Sequence, residues 1–245
     1  NTAPQGWDHN LFKSKIYKFF VKKANGIIVN SKNFQKEVKK RYNINSTCIL
    51  NPFDFKKIKR LATKKIHKIF PKNSLNIINI GRMTEQKDQI LLLKSINLIK
   101  DIINVYLIII GKGKEYNSLK KFIKEHNLKN NIKILGYKKN PFPYIKTSDI
   151  FVLSSKYEGS PNVLVEALIL KKFIISTDCP TGPKEILKNG KYGKLFKVGD
   201  HKKLSQLIIS HKKNKIKKRI NYKHLDIYKK EINCEKYYNY IKKFL

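Results

Sequence analysis

Acidic residues are scarce in this 245-residue chain, where 17 Asp and Glu stand against 54 Lys and Arg and the formal net charge is +37. Arginine is also scarce and occurs only as Arg41, Arg60, Arg82 and Arg219. Proteins that read nucleic acid usually rely on Arg for bidentate contacts. Because Lys, Ile and Asn are abundant together along the chain, we attribute the charge to composition, with attraction to anionic lipid as a consequence. A basic nucleic-acid-binding protein stays open as an alternative, but we expect no nucleic-acid partner.

Long apolar runs are absent as well. The longest, Val105 to Ile110, is far shorter than the roughly 18 residues that would span a bilayer. The first residues, NTAPQGWDHN, lack the charged-then-apolar order of a signal peptide. The only methionine is Met83. We therefore expect a piece of a longer chain or a processed form.

Cysteine is limited to Cys48, Cys179 and Cys234, which are far apart in the sequence. An odd number at this spacing predicts neither a disulfide framework nor a zinc site, and it is typical of a reducing cytoplasm. The six histidines form no ligand pair at helical spacing. We therefore expect no metal and no cofactor, and no Ser-His-Asp arrangement is visible either.

What the chain does contain is an alternation of strand-like apolar runs with helical periodicity. Ile- and Val-rich strands, each followed by a helix, indicate a parallel sheet covered on both faces, that is, an α/β doubly wound fold. The predicted strands are 26–31, 47–51, 75–81, 105–111, 132–136, 149–155, 173–177 and 193–197. The predicted helices include one that ends at about position 41, followed by 86–100, 115–126, 141–148, 161–170 and 183–188.

The pattern also predicts a domain organisation. Residues 73–211 form the doubly wound, Rossmann-like domain, and residues 1–50 form the tail of a truncated N-terminal domain. Residues 51–72, which begin with the turn-forming NPFD, are predicted to link the two. Residues 212–245 are helical and very basic. In a doubly wound sheet the ligand binds beyond the carboxyl ends of the strands, so the candidate site residues are those that follow each strand.

Arg82 and Lys87 lie in GRMTEQKDQ, directly after the strand that ends at Gly81. A guanidinium and an ammonium at this turn can both reach an anion at the edge of the sheet. Alternatively, they are two solvated surface charges.

The stretch EGSPNVLVEAL predicts a helix N-terminus with Ser160 as the cap and Pro161 as the first helical residue. The backbone N–H groups of Asn162, Val163 and Leu164 would then point into the crevice with the positive end of the helix dipole behind them. Such an arrangement is suited to phosphate.

Two of the few carboxylates bracket this turn. Glu158 lies just outside the helix, where it can accept hydrogen bonds from sugar hydroxyls, and Gly159 lets the backbone approach a ligand closely. Glu166 lies over a turn inside the helix and can hold a ribose diol in a bidentate way. Alternatively, Glu158 matches charge at the helix start and Glu166 is an exposed residue.

Two further turns carry weaker signals. Gly111 and Gly113 form a G-x-G after a strand, which is common at strand ends. The segment STDCPTGPKEIL predicts a second tight turn that leads into a helix, with Thr181 or Gly182 near the cap and Glu185 inside.

Six segments in order carry a resemblance to a known family: NIGRMTEQKD, LIIIGKGKEYNSLK, IKILGY, SDIFVLSSKYEGSPNVLVEAL, FIISTDCPTGPKEIL and GKYGKLFKVGD. With their surroundings they cover about Asn51 to Asp200 and resemble the C-terminal half of family 4 glycosyltransferases, retaining enzymes of the two-domain GT-B type. The segment TDCPTGPKEIL is similar to the branch that builds bacterial surface polysaccharide, lipo-oligosaccharide and capsule.

The resemblance implies roles for individual residues. Arg82 and Lys87 would bind the diphosphate of a nucleotide sugar, and the backbone after Glu158, through Leu164, would cradle it. Glu158 would be the catalytic residue that contacts the hydroxyls of the donor sugar. Glu166 would hold the ribose.

The resemblance also implies that the loop at Gly136 and Tyr137 faces the base, commonly uracil. Such enzymes need no metal, because cations and a helix N-terminus stabilise the leaving diphosphate. One departure is Asp88, which stands where the family usually has Gly after the Lys.

The implied function is transfer of a hexose or N-acetylhexosamine from a UDP-sugar, with retention, to a lipid-linked or lipo-oligosaccharide or capsule acceptor. The implied location is cytoplasmic and peripheral, at the inner face of the cytoplasmic membrane. The N-terminal domain of the family supplies a glycine-rich loop and most of the acceptor site, and neither is recognisable in this sequence. A non-catalytic fragment that binds UDP-sugars is therefore the alternative.

Overall fold

The computed structural model describes residues 19, 21, 23–67, 69–213 and 222–245. Parts of the predicted N-terminal remnant, 1–50, and of the predicted C-terminal helices, 212–245, thus lie outside the described residues. The strands are β1 (Ile28–Val29), β2 (Thr47–Cys48), β3 (Leu75–Ile80), β4 (Val105–Ile110), β5 (Ile132–Ile134), β6 (Ile150–Leu153), β7 (Phe173–Thr177) and β8 (Lys194–Phe196).

The helices alternate with these strands. They are α1 (Lys32–Tyr42), α2 (Phe55–Leu61), α3 (Gln89–Ile99), α4 (Tyr116–Glu125), α5 (Phe142–Thr147), α6 (Asn162–Ile169), α7 (Pro183–Ile186), α8 (His201–Lys213) and α9 (Lys230–Ile241). Short 3₁₀ turns span Glu85–Lys87, Tyr222–Tyr228 and Lys242–Phe244. Within the ranges that the structure describes, no helix is both long and apolar enough to cross a bilayer.

Strands β3 to β8 form one parallel sheet in the order β5-β4-β3-β6-β7-β8. The chain proceeds outward from β3 through β4 to β5 and then crosses back to place β6 on the other side of β3. The direction of winding therefore reverses between β3 and β6, and a crevice opens beyond their carboxyl ends. The predicted α/β doubly wound fold is confirmed.

The sheet separates two apolar clusters, because successive side chains of a strand point to opposite faces. Leu107 and Val152 pack on one face, whereas Ile108 and Phe151 pack on the other, and all four are fully buried. The burial of both faces explains why these strands are continuous apolar runs in the sequence.

A smaller N-terminal unit lies beside this sheet. Strands β1 and β2 pair in parallel, and α1 connects them. The Tyr240 hydroxyl of α9 donates a hydrogen bond to the Ile27 carbonyl oxygen at 3.5 Å, so the C-terminal helix contacts this unit. Tyr238 and Leu245 are exposed at the same end. The C-terminal helix therefore contacts the N-terminal unit and also leaves large apolar side chains exposed.

The segment 51–72 contains a helix, α2, that the sequence analysis did not predict. The Asp54 carboxylate caps it by accepting a hydrogen bond from the backbone N–H of Lys57 at 2.8 Å. On its inner face, Ile58 is buried in the same cluster as Phe53 and Phe70. This segment is therefore packed against the sheet domain, and the proposed domain boundaries stay a prediction.

The predicted helix 86–100 is wrong at its start. A 3₁₀ turn ends at Lys87, and Asp88 has φ 44° and ψ 52°, in the left-handed region that interrupts a helix. Helix α3 begins only at Gln89.

Candidate functional site

A cavity of about 390 Å³ lies beyond the carboxyl ends of β3 and β6, at the point where the winding reverses. Its walls come from the loops after these strands, from the first turns of α6 and from the N-terminal unit. Among the described residues, no group of three His, Cys, Asp or Glu side chains could hold a metal ion. The predicted site residues that line the cavity are Arg82, Lys87, Glu158, Gly159, Ser160, Pro161, Asn162, Val163 and Glu166.

Glu158 and Lys87 form an ion pair at the floor of the cavity. The Lys87 Nζ atom lies 2.5 Å from Glu158 Oε1, and the Ser155 hydroxyl donates to the same oxygen at 2.6 Å. Glu158 is only 5% exposed. Lys87, predicted to bind diphosphate, thus neutralises Glu158 in this structure, and Ser155 is a partner that the sequence analysis missed.

Arg82 differs from Lys87 in being exposed at the rim of the cavity. Its backbone carbonyl accepts a hydrogen bond from the Gln89 side-chain amide at 3.0 Å, which holds the turn after β3. Within the described part of the chain its guanidinium makes no hydrogen bond and no ion pair. It is therefore a cation available to a ligand, with donors arranged to grip phosphate in a bidentate way.

The N-terminus of α6 is built differently from the prediction. The cap is Pro161, with φ −70° and ψ 97°, so Ser160 is not the cap and the helix begins at Asn162. The Leu164 N–H donates to the Pro161 carbonyl oxygen at 3.0 Å and is not free for a ligand, which corrects its proposed part in the anion cradle. The N–H groups of Asn162 and Val163 have no acceptor in the described ranges. They remain as donors at the positive end of the helix dipole.

Glu166 lines the cavity just over one turn along α6 from this end. Its carboxylate has no hydrogen-bond partner among the residues described, and burial raises its pKa from 4.5 to about 7. A half-buried carboxylate without a protein partner is disfavoured in its ionised form. Hydroxyl donors from a ligand would satisfy it.

The N-terminal unit contributes a wall that the sequence analysis did not predict. Asn30 and Phe34 of this unit line the cavity together with Asn51, which follows β2 and lies beside the start of α6. The Asn51 amide donates to Asn162 Oδ1 at 2.6 Å, and Asn30 donates to Asn51 Oδ1 at 3.4 Å. These amides connect the N-terminal unit to the first residue of α6. No local pattern could reveal this contact, because its partners are 111 positions apart.

A second unpredicted contact ties together the two loops at the floor. The Gln86 side chain donates to the Tyr157 carbonyl oxygen at 2.9 Å, and the Lys156 N–H donates to the Gln86 carbonyl oxygen at 2.8 Å. The turn that carries Lys87 is thereby fixed against the loop that carries Glu158.

Asp88, the departure from the family pattern, does not face the cavity. Its carboxylate caps α3 by accepting from the Leu91 N–H at 3.3 Å, and burial raises its pKa. Its φ is positive, in a region that Gly adopts without strain. The acid is therefore occupied by the helix and is not among the residues that line the cavity.

The remaining candidates lie outside the cavity. A side chain at Gly111 would collide with the Gly81 carbonyl oxygen, and one at Gly113 with that of Met83, so this G-x-G serves the close packing of two loops. Tyr137 is 67% exposed, with the Lys112 ammonium 5.9 Å from its ring centre. The role of Gly136 and Tyr137 in binding a base stays a prediction.

Comparisons with known proteins show the family of the chain. The family model described as "Glycosyl transferases group 1" matches residues 62–228. The chain is 42% identical over 197 residues to an uncharacterized glycosyltransferase of Methanocaldococcus jannaschii, covering 76% of this chain and 48% of the relative.

A second relative is the N-acetylgalactosamine-N,N'-diacetylbacillosaminyl-diphospho-undecaprenol 4-alpha-N-acetylgalactosaminyltransferase of Campylobacter jejuni. The chain is 28% identical to it over 204 residues, which cover 80% of this chain and 54% of the relative. The chain thus spans about half the length of these two relatives. The solved structure of Anabaena HepE in complex with UDP and glucose shares the fold, with a TM-score of 0.71, 19% identity, and coverage of 85% of this chain and 59% of that one. The protein described here belongs to the glycosyl transferases group 1 family.

Proposed function

We propose that this chain is the nucleotide-sugar-binding half of a retaining glycosyltransferase that uses a UDP-sugar. The observation that carries the proposal is the convergence on one cavity of three groups that have no partner among the residues the structure describes. These are the Arg82 guanidinium, the free N–H groups at the start of α6, and the unpartnered carboxylate of Glu166.

These groups match the parts of a nucleotide diphosphate sugar. A helix N-terminus and a guanidinium attract the two phosphates. Glu166 can accept hydrogen bonds from the two ribose hydroxyls, and Glu158 can accept from the hydroxyls of the sugar. A bound diphosphate would compete with Glu158 for the Lys87 ammonium.

Charge stabilisation is the chemistry that such a site can supply. When the bond to the sugar breaks, negative charge builds up on the diphosphate. Arg82, Lys87 and the dipole of α6 are arranged to stabilise that charge, which is the main way in which protein groups speed such a step. The release of Lys87 from Glu158 would also free the carboxylate to interact with the sugar at the reacting centre.

For the acceptor, the support comes from the relatives and from the charge. The name of the Campylobacter jejuni relative describes transfer of N-acetylgalactosamine to a saccharide on diphospho-undecaprenol. By analogy we propose a hexose or N-acetylhexosamine as the transferred sugar and a lipid-linked, lipo-oligosaccharide or capsule glycan as the acceptor. The net charge of +37 favours peripheral binding to an anionic membrane surface.

The donor can be tested by thermal unfolding of the chain with a panel of UDP-, GDP- and ADP-sugars and with inorganic pyrophosphate as the control for charge alone. A ligand that binds only the folded state raises the melting temperature in proportion to ln(1 + [L]/Kd). We expect a larger shift with UDP-sugars than with pyrophosphate or the other nucleotides. Equal shifts for all anions would show nonspecific attraction to a basic surface, and the absence of any shift would refute a donor site.

A further inference from the structure

The turn after β7 and the short helix α7 contact both sides of the cavity. On one side, the carboxylate of Glu185 in α7 accepts three hydrogen bonds from the N-terminal unit. The donors are the Ser31 hydroxyl at 3.1 Å, the Lys32 N–H at 3.1 Å and the Asn33 N–H at 3.2 Å. Ser31 caps α1, so Glu185 binds the positive end of that helix.

On the other side, the same segment rests on the loop that precedes α6. The Thr181 hydroxyl donates to the backbone carbonyl oxygen of Glu158. Gly182 has φ 87°, and a side chain there would collide with the Pro161 ring and the Gly159 carbonyl oxygen. This approach is possible only for glycine, on account of both its backbone conformation and the lack of space.

Glu185 lies three positions after Gly182, and the short helix α7 that carries it is packed against the core. Pro183 and Ile186 of α7 are both buried. A movement of one contact is therefore transmitted to the other, because packed cores deform little. Asn30 and Phe34, which flank the three groups bound by Glu185, both line the cavity.

We infer that Glu185 is a positioning residue, which holds the N-terminal wall of the cavity against the loop of α6 and so couples this contact to nucleotide-sugar binding. The inference rests on the proposed donor site. A carboxylate with three donors at a helix N-terminus makes charge-assisted hydrogen bonds, which are stronger than neutral ones. Coupling of this kind is reciprocal: loss of the contact weakens binding of the ligand, and binding of the ligand stabilises the contact.

The test uses the whole chain, with Glu185→Leu to remove the contact and Glu185→Gln as the conservative variant. Lys184→Leu is the matched control, since Lys184 lies on the same helix and its ammonium is directed to Asp178, at 3.5 Å. Two quantities are measured: the dissociation constant of UDP by calorimetry, and amide hydrogen exchange in residues 31–35 with and without UDP. Circular dichroism confirms that each variant is folded.

We expect Glu185→Leu to weaken UDP binding at least about fivefold, the lower end of common coupling effects. The affinity of Glu185→Gln for UDP should lie between those of Glu185→Leu and the wild type, because its amide oxygen still accepts from an N–H group but carries no charge. UDP should slow exchange at Lys32 and Asn33 in the wild type and in Lys184→Leu, but not in Glu185→Leu.

The possible failures are distinct. If wild-type chain binds UDP and Glu185→Leu binds it within twofold as well, the coupling is refuted while the donor site stands. An equal loss in Lys184→Leu would also refute it, because the effect would then follow any disturbance of α7. If the wild type does not bind UDP at all, the proposed donor site fails and the coupling fails with it.

Discussion

Lys87 and Glu158 neutralise each other at the floor of the cavity, with the ammonium nitrogen 2.5 Å from the carboxylate oxygen. They come from loops that follow β3 and β6, the two strands between which the winding of the sheet reverses. The sequence analysis assigned the cation to the diphosphate and the anion to the sugar. If the proposed donor site is right, binding of the donor exchanges one partner of Lys87 for another.

Replacement of Glu158 by Gln tests this exchange. The variant frees the Lys87 ammonium, so UDP should bind at least as tightly as in the wild type, whereas Lys87→Met, which also breaks the ion pair, should bind UDP more weakly. Sugar transfer, assayed with the acceptor-binding part of the enzyme present, should fall about a hundredfold or more in Glu158→Gln. Calorimetry and a transfer assay provide the two readouts. Weaker UDP binding in Glu158→Gln than in Lys87→Met would argue against the exchange.

The pH dependence of donor binding should report Glu166. Its pKa is raised by burial to about 7, and only the ionised carboxylate accepts hydrogen bonds from both ribose hydroxyls. The affinity for UDP-glucose, whose diphosphate has no second ionisation in this range, should therefore rise about tenfold at most from pH 6 to pH 8. In Glu166→Gln the affinity should be lower at pH 8 and flat with pH. A wild-type profile that is flat, or parallel to that of the variant, would exclude this role.

The same shift has an effect on stability, with a defined sign. Between the unfolded pKa of 4.5 and the folded pKa of about 7, the folded chain binds more protons at Glu166 than the unfolded chain does. This group therefore lowers the free energy of unfolding as the pH rises through that window, by at most about 1.4 kcal/mol per pH unit. The difference in unfolding free energy between wild type and Glu166→Gln, followed by urea denaturation, should show this slope.

Much of the fold follows from the sequence because its strands are buried on both faces. Such strands are continuous apolar runs, and β7 was predicted with the bounds that it has, Phe173–Thr177. Helix α2 was missed because FKKIKRL is only seven residues long and follows a turn motif; only Ile58 of this helix is buried. The helix predicted from position 86 failed at Asp88, whose left-handed conformation has no clear signal in an Asp.

The residues of the site also differ in whether a local sequence pattern could predict them. Residues such as Arg82, Glu158 and Glu166 were predicted from local spacing and line the cavity, and their roles stay predictions. Asn51 and Glu185 were not predicted in this way, since their partners in the cavity wall lie 111 and more positions away. Tertiary contacts of this kind leave no periodicity in a single sequence.

Asp88 should contribute to stability as a cap. Asp88→Ala removes the acceptor for the Leu91 N–H and leaves a residue ill suited to a positive φ, so the free energy of unfolding should fall by about 1–2 kcal/mol. Asp88→Asn keeps an acceptor and tolerates that conformation, so it should change stability by less than about 0.5 kcal/mol. Urea denaturation of both variants measures the difference. Equal losses would show that charge rather than capping matters at this position.

Gly182 and Gly199 form a matched pair for the packing of the turn after β7. Their φ angles are 87° and 84°, but a side chain at Gly199 would meet nothing within 4 Å, whereas one at Gly182 would meet the loop of Gly159 and Pro161. Gly199→Ala should lower the free energy of unfolding by about 1 kcal/mol through backbone strain alone. Gly182→Ala should lower the free energy of unfolding by more than that and should also weaken UDP binding. Similar losses at the two positions, with UDP binding intact, would contradict the close contact.

The most direct test of a nucleotide-sugar site is calorimetric titration of the chain with UDP, alongside Arg82→Ala and Arg60→Ala. Arg60 is an exposed residue of α2 that does not line the cavity, so it controls for general attraction of an anion to a chain of charge +37. We expect one UDP to bind per chain, with an affinity at least about tenfold weaker in Arg82→Ala and unchanged in Arg60→Ala. Absence of saturable UDP binding, or equal weakening by the two substitutions, would contradict this expectation.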